Sequence, residues 1–153
     1  MLNRTIAPAI VDAVNFNLQL QPYQKYVLRN GVEVYAIDAG SEEVLQIEWV
    51  FIAGNWFEEK NLEAGVTNFL LKNGTTSKTA FEINDHFEYY GAYLNRNSGS
   101  EYASVTLHCL SKHIEKLLPV VRDIFSESTL LQSEMDIAIQ NMKQKLDVNL
   151  KKS

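Results

Sequence analysis

The chain has 153 residues of which 46% are apolar, a length and composition that suit one domain with a substantial core. Its 14 basic residues face 19 acidic ones, a net charge of −5, so no basic surplus is left for phosphate contacts and nucleic acid is not expected as a partner. The apolar stretches 44–53 and 114–125 are interrupted by Gln46, Glu48, Glu115 and Arg122 and fall short of the roughly 20 residues that a membrane span needs.

The N-terminus, with Arg4 and Pro8 and no apolar stretch of its own, does not read as a secretory signal. A single cysteine, Cys109, can form neither an internal disulfide nor a thiolate zinc cage. A soluble, cytoplasmic protein is expected from these features.

Residues 1–24 lack sustained periodicity, and Pro8 and Pro22 hold them away from helix, so they read as an extended arm before a module over 25–153. Two short β-rich runs within 25–38 flank Asn30-Gly31, a pair suited to the positive φ of a tight hairpin turn. In 44–53, Leu45, Ile47, Trp49 and Phe51 alternate with Gln46 and Glu48, the pattern of a half-buried strand that Gly54 ends. A short helix over 63–71 is stopped by Asn73-Gly74, with the glycine as its left-handed C-terminal residue.

Thr79-Ala80-Phe81-Glu82 is a capping box opening a second helix, with Ile83, Phe87 and Tyr90 at helical spacing and Gly91 as its end. Strands over 92–96 and 102–110 then surround the turn formers Asn97-Ser98-Gly99-Ser100. Ser111 can cap a third helix to about Phe125, its stripe being Ile114, Leu117, Leu118, Val121 and Phe125, with a kink expected at Pro119. Ser133 and Asp136 open a long last helix with Met135, Ala138, Ile139, Met142, Leu146 and Leu150 on one side. Grouped strands and grouped helices predict an α+β layer, a largely antiparallel sheet with helices packed on one face. The chain ends at Lys151-Lys152-Ser153 without a Gly or Pro stop, which reads as a piece of something longer.

Residues that could carry chemistry are few. His108 and His113 are split between a strand and a helix start, and His86 stands beside Asp85 and Glu88, so a solvated or end position is the simpler reading than metal ligation. No Gly-rich phosphate loop and no nucleophile-elbow signature occurs. Cys109 shares the inward face with Val105 and Leu107, which favours a buried, inert thiol. The aromatic pairs Trp56-Phe57 and Tyr89-Tyr90 read first as core or hairpin packing and second as a partner surface.

In order and spacing, several segments resemble the N-terminal part of the insulinase and pitrilysin family of zinc peptidases, which includes the mitochondrial processing peptidase and the bc1 core subunits. Leu28-Arg29-Asn30-Gly31-Val32-Glu33-Val34 is similar to the family's opening turn and strand, and Ala53-Gly54-Asn55-Trp56-Phe57-Glu58 to its Ala-Gly-Ser-Arg-x-Glu segment. Gly65-Val66-Thr67-Asn68-Phe69-Leu70, followed by Lys72-Asn73-Gly74-Thr75, resembles the metal-motif helix. Phe87-Glu88-Tyr89-Tyr90-Gly91-Ala92-Tyr93-Leu94-Asn95 resembles the next helix end and strand.

Active members carry His-x-x-Glu-His on that helix, two zinc ligands and a water-activating glutamate. Aligned from Gly65, those three positions hold Asn68, Leu71 and Lys72; aligned back from Gly74-Thr75, they hold Gly65, Asn68 and Phe69. Both registers lose the motif. The family's third ligand, a glutamate on the last long helix, also has no counterpart, since that region reads Met142-Lys143-Gln144-Lys145.

The resemblance therefore implies a metallohydrolase-like fold without catalytic residues, metal or cofactor, where active relatives use zinc. It implies a peptide-binding protein or the partner of an active peptidase subunit. The alternatives are the N-terminal part of an active metalloendopeptidase whose ligands lie elsewhere, and a structural assembly subunit. Self-association is expected through Trp56 and Phe57 or through the face of Met142, Leu146 and Leu150.

Overall fold

A computed structural model of the chain describes residues 19–151. The chain divides into two units, one ending at Ser41 and the other beginning at Glu42. Most of the expected N-terminal arm and the last two residues lie outside the described residues.

In the first unit, β1 (Gln24–Val27) and β2 (Glu33–Ala36) pair antiparallel. The connection is a turn closed by Gly31 N–H donating to the Leu28 carbonyl at 2.9 Å, followed by Leu28 N–H donating to the Val32 carbonyl at 2.9 Å. Gly31 has φ +84°, as expected, whereas Asn30 does not take the positive φ that the pair suggested. Its side chain instead accepts from the Val32 amide at 3.2 Å, so only the glycine makes the left-handed step.

The second unit is built on β3 (Val44–Phe51), β4 (Tyr93–Ser98) and β5 (Ala103–Leu110), all antiparallel in the order β3-β5-β4. The strands thus form a two-stranded and a three-stranded sheet, where one sheet was expected from sequence. Register places Ile47, Leu107 and Leu94 side by side on one face, with Trp49 opposite Val105 and Leu45 opposite Cys109. Strand alternation sends Gln46, His108 and Tyr93 to the other face, where the Tyr93 ring stacks on His108 at 4.4 Å.

Helices cover the apolar face. The helix α2 (Ala80–Tyr89) begins at the complete capping box: Thr79 accepts from the Glu82 amide at 3.3 Å and Glu82 accepts from the Thr79 amide at 2.8 Å. It delivers Ile83 and Phe87 to the core, and Gly91 follows it at φ +60°. The helix α3 (Ile114–Glu127) contributes Leu117, Val120, Val121 and Ile124.

Two details of α3 differ from expectation. Ser111 lies in a 3-10 turn over Ser111–His113 and makes no side-chain cap. The buried stripe takes in Val120 and Ile124 beside the expected Leu117 and Val121, and Leu118 is 40% exposed. Pro119 sits within the residues of that one helix, with Leu117 and Val120 buried on either side of it. Between α1 (Glu63–Leu70) and α2, Gly74 takes φ +136° not as a helix cap but in a bridge to Thr79, beyond the actual cap residue Leu71. The last helix, α4 (Gln132–Leu150), packs on α1 and buries Ala138. None of the helices among the described residues is long and apolar enough to cross a membrane.

Candidate functional site

Of the positions that the resemblance sets at the metal motif, Gly65, Asn68 and Phe69 lie in α1, Leu71 is its cap residue and Lys72 follows it; a preceding acid fixes the start of the helix. Glu58 accepts from the amides of Leu62 at 3.1 Å and Ala64 at 2.9 Å, while Glu63 accepts from the amides of Glu59 at 3.2 Å and Lys60 at 3.4 Å. The Ala64 amide lies in the first turn of α1, where a carboxylate satisfies an otherwise unpaired helix amide and complements the helix dipole; the other three amides belong to the cap and the loop before it. Glu58 closes the segment that resembles Ala-Gly-Ser-Arg-x-Glu, and its role at the helix start, which that likeness does not state, is set by these bonds.

Asn68 is buried and its amide donates to the Asn97 carbonyl of β4 at 2.8 Å, which ties α1 to that strand. Phe69 points to the surface side, with the Arg96 guanidinium 5.4 Å over its ring and donating to its carbonyl. Leu71 is half-buried, and the Lys72 ammonium lies 5.4 Å over the Phe87 ring. Gly65 has no atom within 4 Å of where a Cβ would stand.

These residues do not fit a zinc ion. In one register the donors would be an amide already committed to a backbone carbonyl, an apolar side chain and an ammonium; in the other, a glycine, the same amide and a phenyl ring. Among the described residues no three His, Cys, Asp or Glu side chains converge on a common point. Glu134, the acid of α4 that reaches this region, is bonded at 3.0 Å by the Asn73 amide.

The histidines are likewise dispersed. His86 bonds the Lys116 carbonyl at 3.0 Å, His113 packs its ring against Tyr90 at 5.1 Å, and His108 lies across the sheet on Tyr93. Cys109 is buried, which pushes its thiol up from its ordinary value and disfavours the reactive thiolate.

Asn68 and Leu71 instead face a cavity of about 430 Å³, lined further by Phe51, Ile52, Phe57 and Phe125. At its edge the backbone of Gly54, Asn55 and Trp56 docks on the β4–β5 turn. The three amides donate to the carbonyls of Glu101 at 3.1 Å, Gly99 at 3.0 Å and Ser100 at 2.9 Å. Trp56 is 70% exposed and Phe57 58%, so core packing does not hold for Trp56 while Phe57 forms part of the cavity wall. Of the second aromatic pair, Tyr90 packs on the core and Tyr89 is exposed. Met142 is half-buried on α4, and Leu146 and Leu150 are exposed.

Residues 34–153 match the family described as Insulinase (Peptidase family M16). The chain belongs to the insulinase family.

It is 27% identical over 111 residues to an uncharacterized zinc protease of Rickettsia felis, covering 71% of this chain and 27% of that protein. Its identity to the mitochondrial cytochrome b-c1 complex subunit 1 of Mus musculus is 26% over 145 residues, 90% of this chain and 30% of the subunit. Among solved structures, the peptidase M16 inactive domain from Pseudomonas fluorescens superposes with a TM-score of 0.69 at 21% identity, covering 81% of this chain and 30% of that one. A protease from Helicobacter pylori gives 0.66 at 16% identity, covering 76% and 29%. These two likenesses show the fold, which is the metallohydrolase-like α+β arrangement expected from the sequence.

The insulinase-family chain thus spans about three-tenths of the length of these relatives. The expectation of a cytoplasmic location needs correction. Bc1 subunits from mouse, rat, human, nematode and cattle, all mitochondrial, are among the matched relatives and point away from the cytoplasm. Charge and cysteine count bear on chemistry, not on cellular address, which is why they misled.

Proposed function

We propose that this chain is a non-catalytic member of its family that binds a peptide segment or a partner subunit at the cavity beside α1. The observation that carries the reading is the replacement of the whole ligand set by Asn68, Leu71 and neighbours around an apolar cavity of about 430 Å³. An open, mostly apolar wall with a few fixed polar groups suits side chains of an extended segment. Trp56 and Phe57, held beside it on three backbone hydrogen bonds, supply rigid aromatic surface of the kind that dominates protein contacts. Likeness to a bc1 subunit favours a second reading, an assembly role without peptide release, in which the same surface meets a permanent neighbour.

Metal analysis after dialysis, paired with binding to an immobilised array of extended peptides, tests the proposal. The expected outcome is sub-stoichiometric zinc, no chelator-sensitive cleavage, and peptide retention lost in Leu71→Asp. One tightly held zinc per chain would refute the non-catalytic reading. Retention unchanged in Leu71→Asp would refute the cavity as the binding place.

A further inference from the structure

Asn68 stands at a motif position in both registers, and of the polar residues that line the cavity it is the only buried one, at 6% exposed. Its amide nitrogen is committed to the Asn97 carbonyl at 2.8 Å, which fixes the orientation of the group. The other end, Oδ1, accepts no hydrogen bond among the described residues. Nor is Oδ1 sealed off, since Ser98 Oγ is the only buried side-chain polar atom among them that is both closed to solvent and without a partner. The opening that reaches Oδ1 is the cavity that Asn68 lines. A buried amide oxygen short of a donor favours a ligand that brings one.

The rest of the wall narrows the choice. Glu58 spends both carboxylate oxygens on the Leu62 and Ala64 amides, and Glu63 spends Oε2 on those of Glu59 and Lys60. Their charges still repel an anionic occupant, and no Lys, Arg or His lines the wall to offset them. A cationic head would leave water for mostly apolar surroundings, at a greater desolvation cost than a neutral donor. Thr67 is exposed, so water serves its hydroxyl. Phe51, Phe57 and Phe125 supply ring faces and edges, with Phe51 already edge-on to Phe125 at 5.5 Å, and such walls favour an aromatic occupant. The volume of about 430 Å³ is near the lower end of the roughly 300–1,000 Å³ of ligand pockets, room for one bicyclic side chain and not for a folded element.

We propose that the cavity takes a tryptophan side chain from a partner's extended segment, its indole N–H donating to Asn68 Oδ1. Indole joins an apolar bicyclic body to one donor and no acceptor, which matches a wall with one buried acceptor. Phenylalanine brings no donor, and tyrosine brings a hydroxyl oxygen that no buried donor of this wall meets. The inference rests on the reading of the cavity as a peptide-binding place and names the residue that the segment brings to it.

Amide NMR titration of the unmodified chain tests it, with an uncharged extended peptide that carries one central tryptophan. Its twins carry at that place either lysine or benzothienylalanine, which keeps the bicyclic shape without the N–H. Saturable shifts at residues 67–71 and 103–105 are expected, with the tryptophan peptide about three- to tenfold tighter than its benzothienylalanine twin, as for one neutral hydrogen bond. Asn68→Leu should erase that preference, and the comparison of peptides on the unmodified chain decides alone if the variant misfolds. Equal affinity of the tryptophan and benzothienylalanine peptides, tighter binding of the lysine one, or a preference that survives in folded Asn68→Leu would overturn the tryptophan assignment and leave the peptide reading in place. A preference for free indole over benzothiophene at the same amides, with no peptide bound, would keep Asn68 as the acceptor of an indole and remove the peptide reading. Dimerisation that Trp56→Phe abolishes, with neither peptide nor free indole bound, would give the cavity to a second copy and overturn the proposal.

Discussion

Adding one methyl group at Gly54 should unfold much of the second unit, and the same addition at Gly65 should strengthen it. At Gly54 the new Cβ would stand 2.3 Å from the Ser100 carbonyl oxygen and 2.6 Å from the Glu101 carbonyl carbon, both backbone atoms. Nonbonded carbon contacts settle near about 3.5–4.0 Å, so the β4–β5 turn must retreat by about 1 Å. That retreat strains the three amide bonds at Glu101, Gly99 and Ser100, each contributing about 0.5–1.5 kcal/mol net. Overpacking by a methylene-sized group costs about 1–3 kcal/mol by itself. Gly54→Ala should therefore lose about 2–5 kcal/mol, reduced slightly by the less flexible unfolded chain. The backbone at Gly54, φ −84° and ψ −177°, suits any residue, so the effect is one of space alone.

Gly65 lies inside α1 with nothing near its missing Cβ, and Gly65→Ala should gain about 0.5–1 kcal/mol from helix propensity. Urea denaturation followed by far-ultraviolet circular dichroism reads both as opposite shifts of the midpoint. Equal stability of Gly54→Ala and the unmodified chain would refute the close docking of this loop, and a destabilised Gly65→Ala would refute the open face of α1.

Thr79→Ala removes the acceptor of the capping box and should lose about 1 kcal/mol, read in the same denaturation experiment. Asp123 accepts from Arg122 at 2.8 Å and from Lys78 at 3.4 Å; the Arg122 hydrogen bond is the main reason that its carboxyl is held below the ordinary range. A depressed folded-state value means stability that is whole above the unfolded carboxyl value of about 4 and lost as pH falls through the folded one. The gap in melting temperature between the unmodified chain and Asp123→Asn should accordingly be constant near neutrality and shrink in acid, and a constant gap down to the acid limit would contradict this. Exposed apolar surface at Trp56, Phe57 and Leu146 leads us to expect self-association, checked by light scattering: a monomer at tens of micromolar, unchanged in Leu146→Glu, would exclude it.

Local signals were legible. The Thr79 and Glu82 pair sits within one helical turn and formed as written, and the alternation in β3 placed Leu45, Ile47 and Trp49 inward. The loss of the metal motif needed only the side chains at 65–72. Features that depend on distant backbone were not legible. Arg96 follows Leu94 on the inward face of β4, where a charge looks out of place until the Phe69 carbonyl, far back in the chain, arrives to meet it. Gly54 read as a strand end, whereas its lack of a side chain is required by a turn nearly fifty residues later. The stripe of α3 kept Leu117 and Val121 but took in Val120 and Ile124 in place of Leu118, because the face that meets the rest of the core is set by elements distant in sequence.

The two tryptophans divide the molecule optically. Trp49 lies edge-on to Phe125 at 5.4 Å and is half-buried, whereas Trp56 stands 70% exposed beside the cavity. A polar quencher such as acrylamide reaches the outer indole first, leaving an emission dominated by the inner one. Occupation of the cavity edge would shield the first without touching the second, and loosening of the sheet would do the reverse. The native chain therefore carries separate intrinsic dyes for its surface and its interior, distinguishable without any label.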